Sequence, residues 1–210
     1  MNSPSPVNIL VLVSGNGTNL QALIDAEKSG GLGAGKIVAA VSDRREVHAL
    51  QRARAAGIPA FAEAPDRSLP KEARRRDLSD RILRQALERD ARLIILAGFL
   101  SILEGDILAA FRGRIINLHP SLLPKFGGPG MYGERVHRAV LEAGETESGC
   151  TVHLVDAGTD TGPVILRKKV PVIAGDTPAS LAERIHETEH AAIVEAAMFM
   201  IEKLSNRRDV

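Results

Sequence analysis

Aromatic residues and cysteine are scarce in this sequence, and each shortage excludes a class of function. Tryptophan is absent and aromatic residues make up 3% of the 210 residues, so we expect no stacking surface for single-stranded nucleic acid. One cysteine, Cys150, permits neither an intramolecular disulfide nor a cysteine-rich metal site. Such sparing use of cysteine is typical of a reducing compartment, and we expect the protein to be cytoplasmic.

Excess charge and long hydrophobic runs are lacking as well. The 27 Lys and Arg residues balance the 26 Asp and Glu residues to a net charge of +1, so we expect binding to neither nucleic acid nor a membrane. The apolar runs near 7–13 and 93–100 fall well short of the roughly 20 residues that span a bilayer. Residues 1–6 lack the basic and apolar segments of a targeting peptide and are expected to form a disordered tail.

The rest of the chain has an ordinary globular composition, with 44% apolar and 25% charged residues, and its length predicts one domain over 7–205. Aliphatic runs alternate with amphipathic stretches, which predicts an α/β fold on an open, mostly parallel twisted sheet with helices on both faces. Strands are predicted at 9–13, 36–41, 58–61, 92–97, 115–118, 151–155 and 164–172, the last of them partly antiparallel. Helices are predicted after a cap at 18 or 19, over 45–56, 68–90 and 133–142, before the fifth strand, and after a cap at 176 or 177.

A glycine-rich turn, Ser-Gly-Asn-Gly-Thr-Asn at 14–19, follows the first strand. In this fold class ligands bind at the carboxyl ends of strands, where glycines admit an anion to the N–H groups of a helix. Leu20 stands where the dinucleotide fingerprint needs its third glycine, and no Gly-Lys-Ser/Thr follows. The turn therefore favours a monophosphate over NAD or ATP. The alternative is a tight turn that only caps a helix.

Asn117 and His119 lie two residues apart at the end of the fifth predicted strand, so their side chains point to the same side. An amide donor and an imidazole directed at one spot suit the stabilisation of an oxyanion and proton transfer. The alternative is a buried, satisfied histidine beside an asparagine that caps the strand. Asp156 and Asp160, in a glycine-rich loop, are both candidates to raise the pKa of His119, or else ordinary turn residues.

Four further polar or reactive side chains have a structural interpretation. His186 and His190 have the spacing of a zinc pair on a helix, but the His-Glu-x-x-His order is absent and we predict no metal. His153 lies within a strand pattern and is open to a simple buried role. Cys150 has no evident activating partner and is interpreted as a small buried residue.

Three segments together resemble one family. The runs at 14–21, 117–124 and 156–163 resemble, in order and spacing, the phosphoribosylglycinamide formyltransferases, from about Val7 to the final helix. The run at 117–124 by itself is typical of the wider formyltransferase group. The run at 14–21 points, within that group, to the phosphoribosylglycinamide formyltransferases. The resemblance implies a Rossmann-like formyltransferase fold. It also implies transfer of the formyl group of 10-formyltetrahydrofolate to the amine of glycinamide ribonucleotide in de novo purine biosynthesis, through a tetrahedral intermediate.

The resemblance also implies a role for individual residues. The catalytic residues would be Asn117, His119 and Asp160, with Asp160 chosen over Asp156 by its place in the motif and keeping His119 protonated. The residues implied for glycinamide ribonucleotide are Gly15, Asn16, Gly17, Thr18, Asn19, His186 and Glu189. Those implied for folate are Arg75, Leu100, Ser101, Ile102, Leu103, Asn117, Ala157, Gly158, Thr159 and Asp160. Arg74 and Arg76 adjoin Arg75, so the register of that arginine stays open.

By resemblance, residues 7–100 would form a phosphate-binding half, and residues 100–205 the folate and catalytic part. The partners would be the two small-molecule substrates, with no metal, and the chain a monomer or homodimer. The loop at 126–134 is several residues longer than in the commoner form of the family.

Other functions are open to a chain of this kind. A formyltetrahydrofolate hydrolase would need an additional N-terminal domain, and a methionyl-tRNA formyltransferase an additional C-terminal one. We expect neither domain here. An inert binding module would have lost one of the three catalytic side chains, and all three are present.

Overall fold

Seven strands form one twisted sheet in the computed structural model, which describes residues 6–206 and, within them, not the side chains of residues 71 and 72. The expected tail therefore lies, apart from Pro6, outside the described residues. The strands are β1 (Val7–Val13), β2 (Gly35–Ser42), β3 (Ala60–Ala62), β4 (Leu93–Leu96), β5 (Ile115–His119), β6 (Glu147–Leu154) and β7 (Val164–Pro171). The helices are α1 (Thr18–Lys28), α2 (His48–Ala55), α3 (Lys71–Leu87), α4 (Asp106–Ala110), α5 (Glu134–Glu142) and α6 (Pro178–Ser205).

The order of the strands across the sheet is β3-β2-β1-β4-β5-β6-β7. The first five strands pair in parallel, whereas β6 pairs antiparallel with β5 and β7 antiparallel with β6. This confirms the predicted fold class. Strand order reverses at β1, which lies between β2 and β4, and such a reversal opens a crevice at the carboxyl ends of the strands.

The continuous apolar run of β1 is explained by burial on both faces of the sheet. Ile9, Val11 and Val13 pack in one core with α1, α2 and α6, while Leu10 and Leu12 pack in a second core with α3 and α4. A strand covered on both sides can expose neither set of side chains, so both alternating sets are apolar.

Several boundaries differ from the sequence-based expectation because local polar contacts compete with the helix. α1 begins after Gly17, which caps it without a side-chain hydrogen bond, so neither Thr18 nor Asn19 is the cap. α3 begins three residues later than expected, since Asp66 accepts from the backbone N–H and the hydroxyl of Ser68 and holds a turn there. Thr177 caps α6 in a reciprocal pair with Ser180, as expected.

Two other elements also differ in length. α2 begins at His48 and not at residue 45, because Val47 is extended, at φ −132° and ψ 145°. β6 begins at Glu147, four residues earlier than expected, since its pairing with β7 continues to Glu147 opposite Pro171. Among residues 6–206, no helix is both long and apolar enough to cross a membrane.

Candidate active site

A cleft of about 490 Å³ opens at the carboxyl ends of β4 and β5. The segment after β4 forms one wall, and the lengthened loop before α5 and the loop after β6 form others. The first turns of α6 contribute Pro178, Ala182, His186 and Glu189. The cleft therefore lies beside the reversal of strand order, where the fold class binds its ligands.

Asn117, His119 and Asp160 meet in this cleft. Asn117 and His119 project from the same side of β5, and Asp160 approaches from the loop after β6. The Asp160 carboxylate lies 3.4 Å from Nδ1 of His119 and accepts from the Asn117 amide at 3.4 Å. The structure thus brings together the three side chains that the sequence motifs selected.

The His119 ring is held at both nitrogens. Its Nε2 lies 2.8 Å from the backbone carbonyl of Phe126, which only accepts, so Nε2 carries a hydrogen. In the neutral ring Nδ1 is then an unprotonated acceptor facing Asp160, whereas the protonated ring donates to both partners. The arrangement is complete for hydrogen bonding only when the ring is charged.

The ionisation of His119 corrects one sequence-based expectation. Burial lowers the pKa of His119 and outweighs Asp160, which raises it, so the net pKa lies below the ordinary 6.5. Asp160 does favour the imidazolium as expected, but it does not keep the ring protonated at neutral pH in the free chain. The sequence shows a neighbouring carboxylate, but it does not show that the ring is 4% exposed.

Asp160 stands in a strained position that aims its carboxylate into the cleft. Its φ is +58°, a value that residues with a side chain rarely adopt. Its Oδ2 accepts from the backbone N–H of Gly128 at 3.0 Å. Burial raises the pKa of Asp160, but His153, His119 and Gly128 together lower it below the usual value, so the carboxylate is ionised at neutral pH.

The other acid of this loop has a different role. Asp156 accepts from the Gly158 backbone N–H at 2.9 Å and from the Thr161 hydroxyl at 2.7 Å. These bonds hold the turn, so Asp156 stabilises the loop that presents Asp160. The two aspartates that the sequence alone left equivalent are separated by geometry.

His153 is buried and also contacts the group formed by Asn117, His119 and Asp160. Its Nδ1 lies 2.9 Å from the carbonyl of Leu154 and must donate to it, so in the neutral ring Nε2 accepts from the Asn117 amide at 3.1 Å. In the charged ring Nε2 would instead donate to Asp160, which lies 3.5 Å away. The Asn117 amide is thereby oriented with its donors toward His153 and Asp160. His153 is a positioning residue in addition to being a buried one.

A second polar group lies in the same cleft around Glu189, which is 4% exposed. Its carboxylate accepts from the Asn19 amide at 3.2 Å and from Nδ1 of His186 at 2.7 Å. Burial raises the pKa of Glu189, but the bond to His186 and its charge bring the net value below the ordinary one. The same hydrogen bond raises the pKa of His186. The group is thus a buried carboxylate whose contact with His186 favours the charged form of that ring.

Comparison with known proteins identifies the family. Residues 7–197 match the family model described as formyl transferase. The chain belongs to the formyl transferase family. It is 42% identical over 185 residues to the phosphoribosylglycinamide formyltransferase of Escherichia coli (strain K12), a match that covers 88% of this chain and 82% of that protein.

Longer relatives and solved structures agree with this membership. The chain is 44% identical over 190 residues to the trifunctional purine biosynthetic protein adenosine-3 of Drosophila pseudoobscura pseudoobscura, and covers 13% of its length. It spans about an eighth of the insect proteins of that name that it matches. It resembles the crystal structure of glycinamide ribonucleotide transformylase 1 from Symbiobacterium toebii with a TM-score of 0.86 and 39% identity, over 94% of this chain and 89% of that one.

The glycine-rich turn of this formyl transferase lies outside the cleft lining, except for Asn19. Gly15 and Asn16 are exposed, and Gly17 and Thr18 are half-buried. The Asn16 side chain accepts from His48 at 3.0 Å and from Arg52 at 3.3 Å, so it is directed at α2. The turn leaves the N–H groups at the start of α1 without a side-chain cap, as an anion site requires.

The expected folate segment is placed along one wall of the cleft, whereas the expected arginine is not. The predicted residues that line the cleft are Leu100, Ser101, Ile102, Leu103, Gly158 and Thr159, while Ala157 and Arg75 do not line it. Arg74 donates to three backbone carbonyls before α3, and Arg76 pairs with Asp106 at 3.5 Å. Because Arg74 and Arg76 both bond to other parts of the chain, Arg75 is the candidate among the three for a contact with folate.

Sequence reasoning missed some residues of the cleft. His137 on α5 lines it, as do Gly128 to Glu134 of the lengthened loop. Val136 and Val140, both buried, mark the inner face of α5, and that spacing could have placed His137 on it. Within the described part of the chain, no group of three or more His, Cys, Asp and Glu side chains is placed to hold a metal ion.

The two histidines of the cleft are expected to titrate in opposite directions. His119 should titrate below pH 6.5, because burial disfavours its charge, and His186 above pH 6.5, because Glu189 favours it. Histidine ring signals followed by NMR from pH 5 to 8, assigned with His119→Asn and His186→Asn, measure both. At pH 7 the first ring is then neutral, and the second is charged more often than a free imidazole. A His119 midpoint above 6.5 would contradict the dominance of burial.

Proposed function

We propose that this chain transfers the formyl group of 10-formyltetrahydrofolate to the amine of glycinamide ribonucleotide, giving formylglycinamide ribonucleotide and tetrahydrofolate, as a step of de novo purine biosynthesis. The observation that carries the proposal is the meeting of Asn117, His119 and Asp160 in a cleft that also holds Glu189. The printed names of the relatives from Escherichia coli and Symbiobacterium toebii support it.

The two substrates would meet at the catalytic residues from opposite sides. The nucleotide would lie along Glu189 and Asn19, with its phosphate at the N-terminus of α1, where the free N–H groups favour an anion. The folate would lie along 100–103 and 158–160, where apolar side chains and backbone groups suit a flat, amide-bearing ring. In this arrangement the phosphate would lie in the 7–100 half and the folate in the 100–205 part, while Glu189 of the second part would also reach the nucleotide.

The wall proposed for folate is held by hydrogen bonds to two neighbouring loops. The Leu100 backbone N–H donates to the Ser14 hydroxyl at 2.8 Å, and the Ser101 hydroxyl donates to Asp43 at 2.7 Å. Residues after β1, β2 and β4 are thereby joined at one edge of the sheet. Such support reduces the ordering required when a ligand binds.

The chemistry follows from the charges in the cleft. The amine attacks the formyl carbon, a carbon–nitrogen bond forms, and the carbonyl oxygen becomes an oxyanion. The Asn117 N–H that lies 3.4 Å from Asp160 in the free chain can exchange that long contact for a hydrogen bond to the oxyanion. The neutral His119 ring takes the proton released by the attacking nitrogen and gives it to the folate nitrogen as its bond to carbon breaks. Asp160 stabilises the imidazolium formed between the two steps, and holding both substrates side by side supplies further rate.

An absorbance assay tests the proposal directly. The formyl donor 10-formyl-5,8-dideazafolate is incubated with the chain, with and without glycinamide ribonucleotide. We expect turnover only when the amine is present. Turnover without it would identify a hydrolase, in which water replaces the amine, and no turnover in either case would identify an inert module. A chelator should leave the rate unchanged, because no step of the proposed reaction uses a metal. The cytoplasmic location expected from the sequence stays a prediction.

Gly15 offers a clean test of the proposed phosphate site. A Cβ at Gly15 would meet no atom within 4 Å, and its φ lies outside the left-handed region, so Gly15→Val leaves the fold intact. The added side chain should hinder the phosphate and raise the KM for glycinamide ribonucleotide by roughly tenfold, the loss of about one charge-assisted hydrogen bond. Steady-state kinetics should show an unchanged KM for the formyl donor.

The neighbouring Gly17 provides the contrast. Its φ is +78°, and a Cβ there would lie 2.6 Å from Cβ of Ala49, so Gly17→Ala should lower the melting temperature by disturbing the packing of α1 on α2. If Gly15→Val instead raised the KM of the formyl donor alone, the phosphate would have to bind elsewhere.

A further inference from the structure

One buried imidazole of the cleft, that of His137, has a ring nitrogen without a hydrogen-bond partner in the described part of the chain. His137 is 3% exposed and lines the cleft together with His119 and Glu189. Its Nδ1 atom is buried and finds no hydrogen-bond partner among the residues that the structure describes. Buried polar groups in native proteins are nearly always paired, so an unpaired one indicates either strain or a partner that arrives with a ligand.

The helix that carries His137 gains nothing from a polar residue there. Val136, His137 and Val140 form the buried face of α5, and the two valines pack as apolar residues. An apolar side chain at position 137 would continue that face and remove an unpaired polar group from the interior. The free chain is therefore less stable with histidine than it could be.

The titratable groups that face His137 lie on β5, α5 and α6. Burial is the largest effect and lowers the pKa of His137, and the nearby His186 and His119 lower it further. Glu189 and Glu134 raise it, but the net pKa lies below the ordinary value. The ring is neutral at neutral pH and so offers one N–H donor and one acceptor. It lies within the electrostatic reach of both the catalytic residues and the Glu189 group.

We propose that His137 is a binding residue for the nucleotide substrate, forming a hydrogen bond to its N–H or O–H groups beside Glu189. This inference rests on the proposed function. Asn19 supplies a second observation, because its Nδ2 donates to Glu189 while its Oδ1 is buried without a partner in the described chain. Two unpaired hydrogen-bonding atoms thus accompany one buried carboxylate in the cleft, as expected of a site for a ligand rich in hydroxyl and amide groups.

Replacing His137 with Leu separates binding from structure. We expect the KM for glycinamide ribonucleotide to rise roughly threefold to tenfold, the loss of one neutral hydrogen bond. The KM for the formyl donor should stay within about twofold, because the proposed hydrogen bond is to the nucleotide and not to the folate. The melting temperature of the free chain should equal or exceed that of the wild type. A residue with a purely structural role would give a lower melting temperature and unchanged KM values.

Two conservative variants identify the nitrogen that acts. His137→Asn places an amide near the position of Nδ1, and His137→Gln places one near Nε2, so one of the two should restore most of the nucleotide affinity. Val140→Ala is the matched control on the same buried face, since Val140 does not line the cleft. It should lower the melting temperature and leave both KM values unchanged.

Thermal shift with glycinamide ribonucleotide, without any formyl donor, gives an independent readout. The nucleotide should stabilise the wild type more than His137→Leu. The inference is overturned if the Leu variant binds the nucleotide as the wild type does, or if the KM for the formyl donor rises equally. If the wild type neither binds the nucleotide nor turns it over, the proposed function fails instead.

Discussion

Asp160→Asn is expected to lower kcat by at least about 10²-fold, since a positioned proton-transfer pair contributes roughly 10²–10⁴ in rate. The substitution keeps the shape of the side chain and removes the charge that lies 3.4 Å from Nδ1 of His119. Without that charge the imidazolium that forms during transfer is less stable, whereas binding of both substrates changes little. Single-turnover kinetics with saturating substrates measure the effect.

The pKa of His119 provides the second readout for this variant. Asp160 raises that pKa against the larger effect of burial, so its removal should move the NMR titration of His119 further down. Asp156→Asn is the matched control, because Asp156 lies in the same loop and bonds to Gly158 and Thr161. It should keep the His119 titration and most of kcat. A near-normal kcat for Asp160→Asn would transfer the role to another acid.

Asn117→Leu is expected to lower kcat by roughly 10²–10³-fold, the range observed when one oxyanion donor is removed. Leu matches the size of Asn but cannot donate a hydrogen bond, so the developing negative charge loses its partner. KM values should change much less, because the interaction forms in the transition state. Steady-state kinetics with both substrates varied separate the two parameters.

The same variant leaves Nε2 of His153 without its donor, which should also lower stability by about 1–3 kcal/mol. Ile116→Val controls for disturbance of β5, since Ile116 is buried beside Asn117 and does not line the cleft. It should cost about 0.5–1.5 kcal/mol of stability and leave kcat unchanged. If Asn117→Leu lost stability but kept kcat, Asn117 would be structural and the oxyanion donor would have to be sought elsewhere.

The parts of the fold that the sequence predicted are those set by local pattern. The unbroken apolar run of β1 required burial on both faces, and this led directly to a parallel sheet with two cores. The two-residue spacing of Asn117 and His119 placed both on one side of β5, because side-chain direction alternates along any strand. The cap at Thr177 was also readable, since its chemistry is local.

The parts that the sequence did not predict depend on contacts between distant segments. Whether His119 is charged depends on a balance between burial and Asp160, and sequence shows only the second. The carbonyl of Phe126 reaches Nε2 of His119 from the lengthened loop, a contact for which no residue type gives a signal. Asn16 is likewise directed by contacts with distant residues, His48 and Arg52, which its place in an apparent anion-binding turn does not indicate.

Transfer of a labelled formyl group tests the central claim most directly. The chain is incubated with glycinamide ribonucleotide and 10-formyltetrahydrofolate that carries ¹³C in its formyl group, and the products are followed by NMR. The account predicts that the label appears in the formamide of the nucleotide at the rate at which tetrahydrofolate forms, and that both rates fall together in Asp160→Asn. Appearance of the label as free formate, with the nucleotide unmodified, would contradict it.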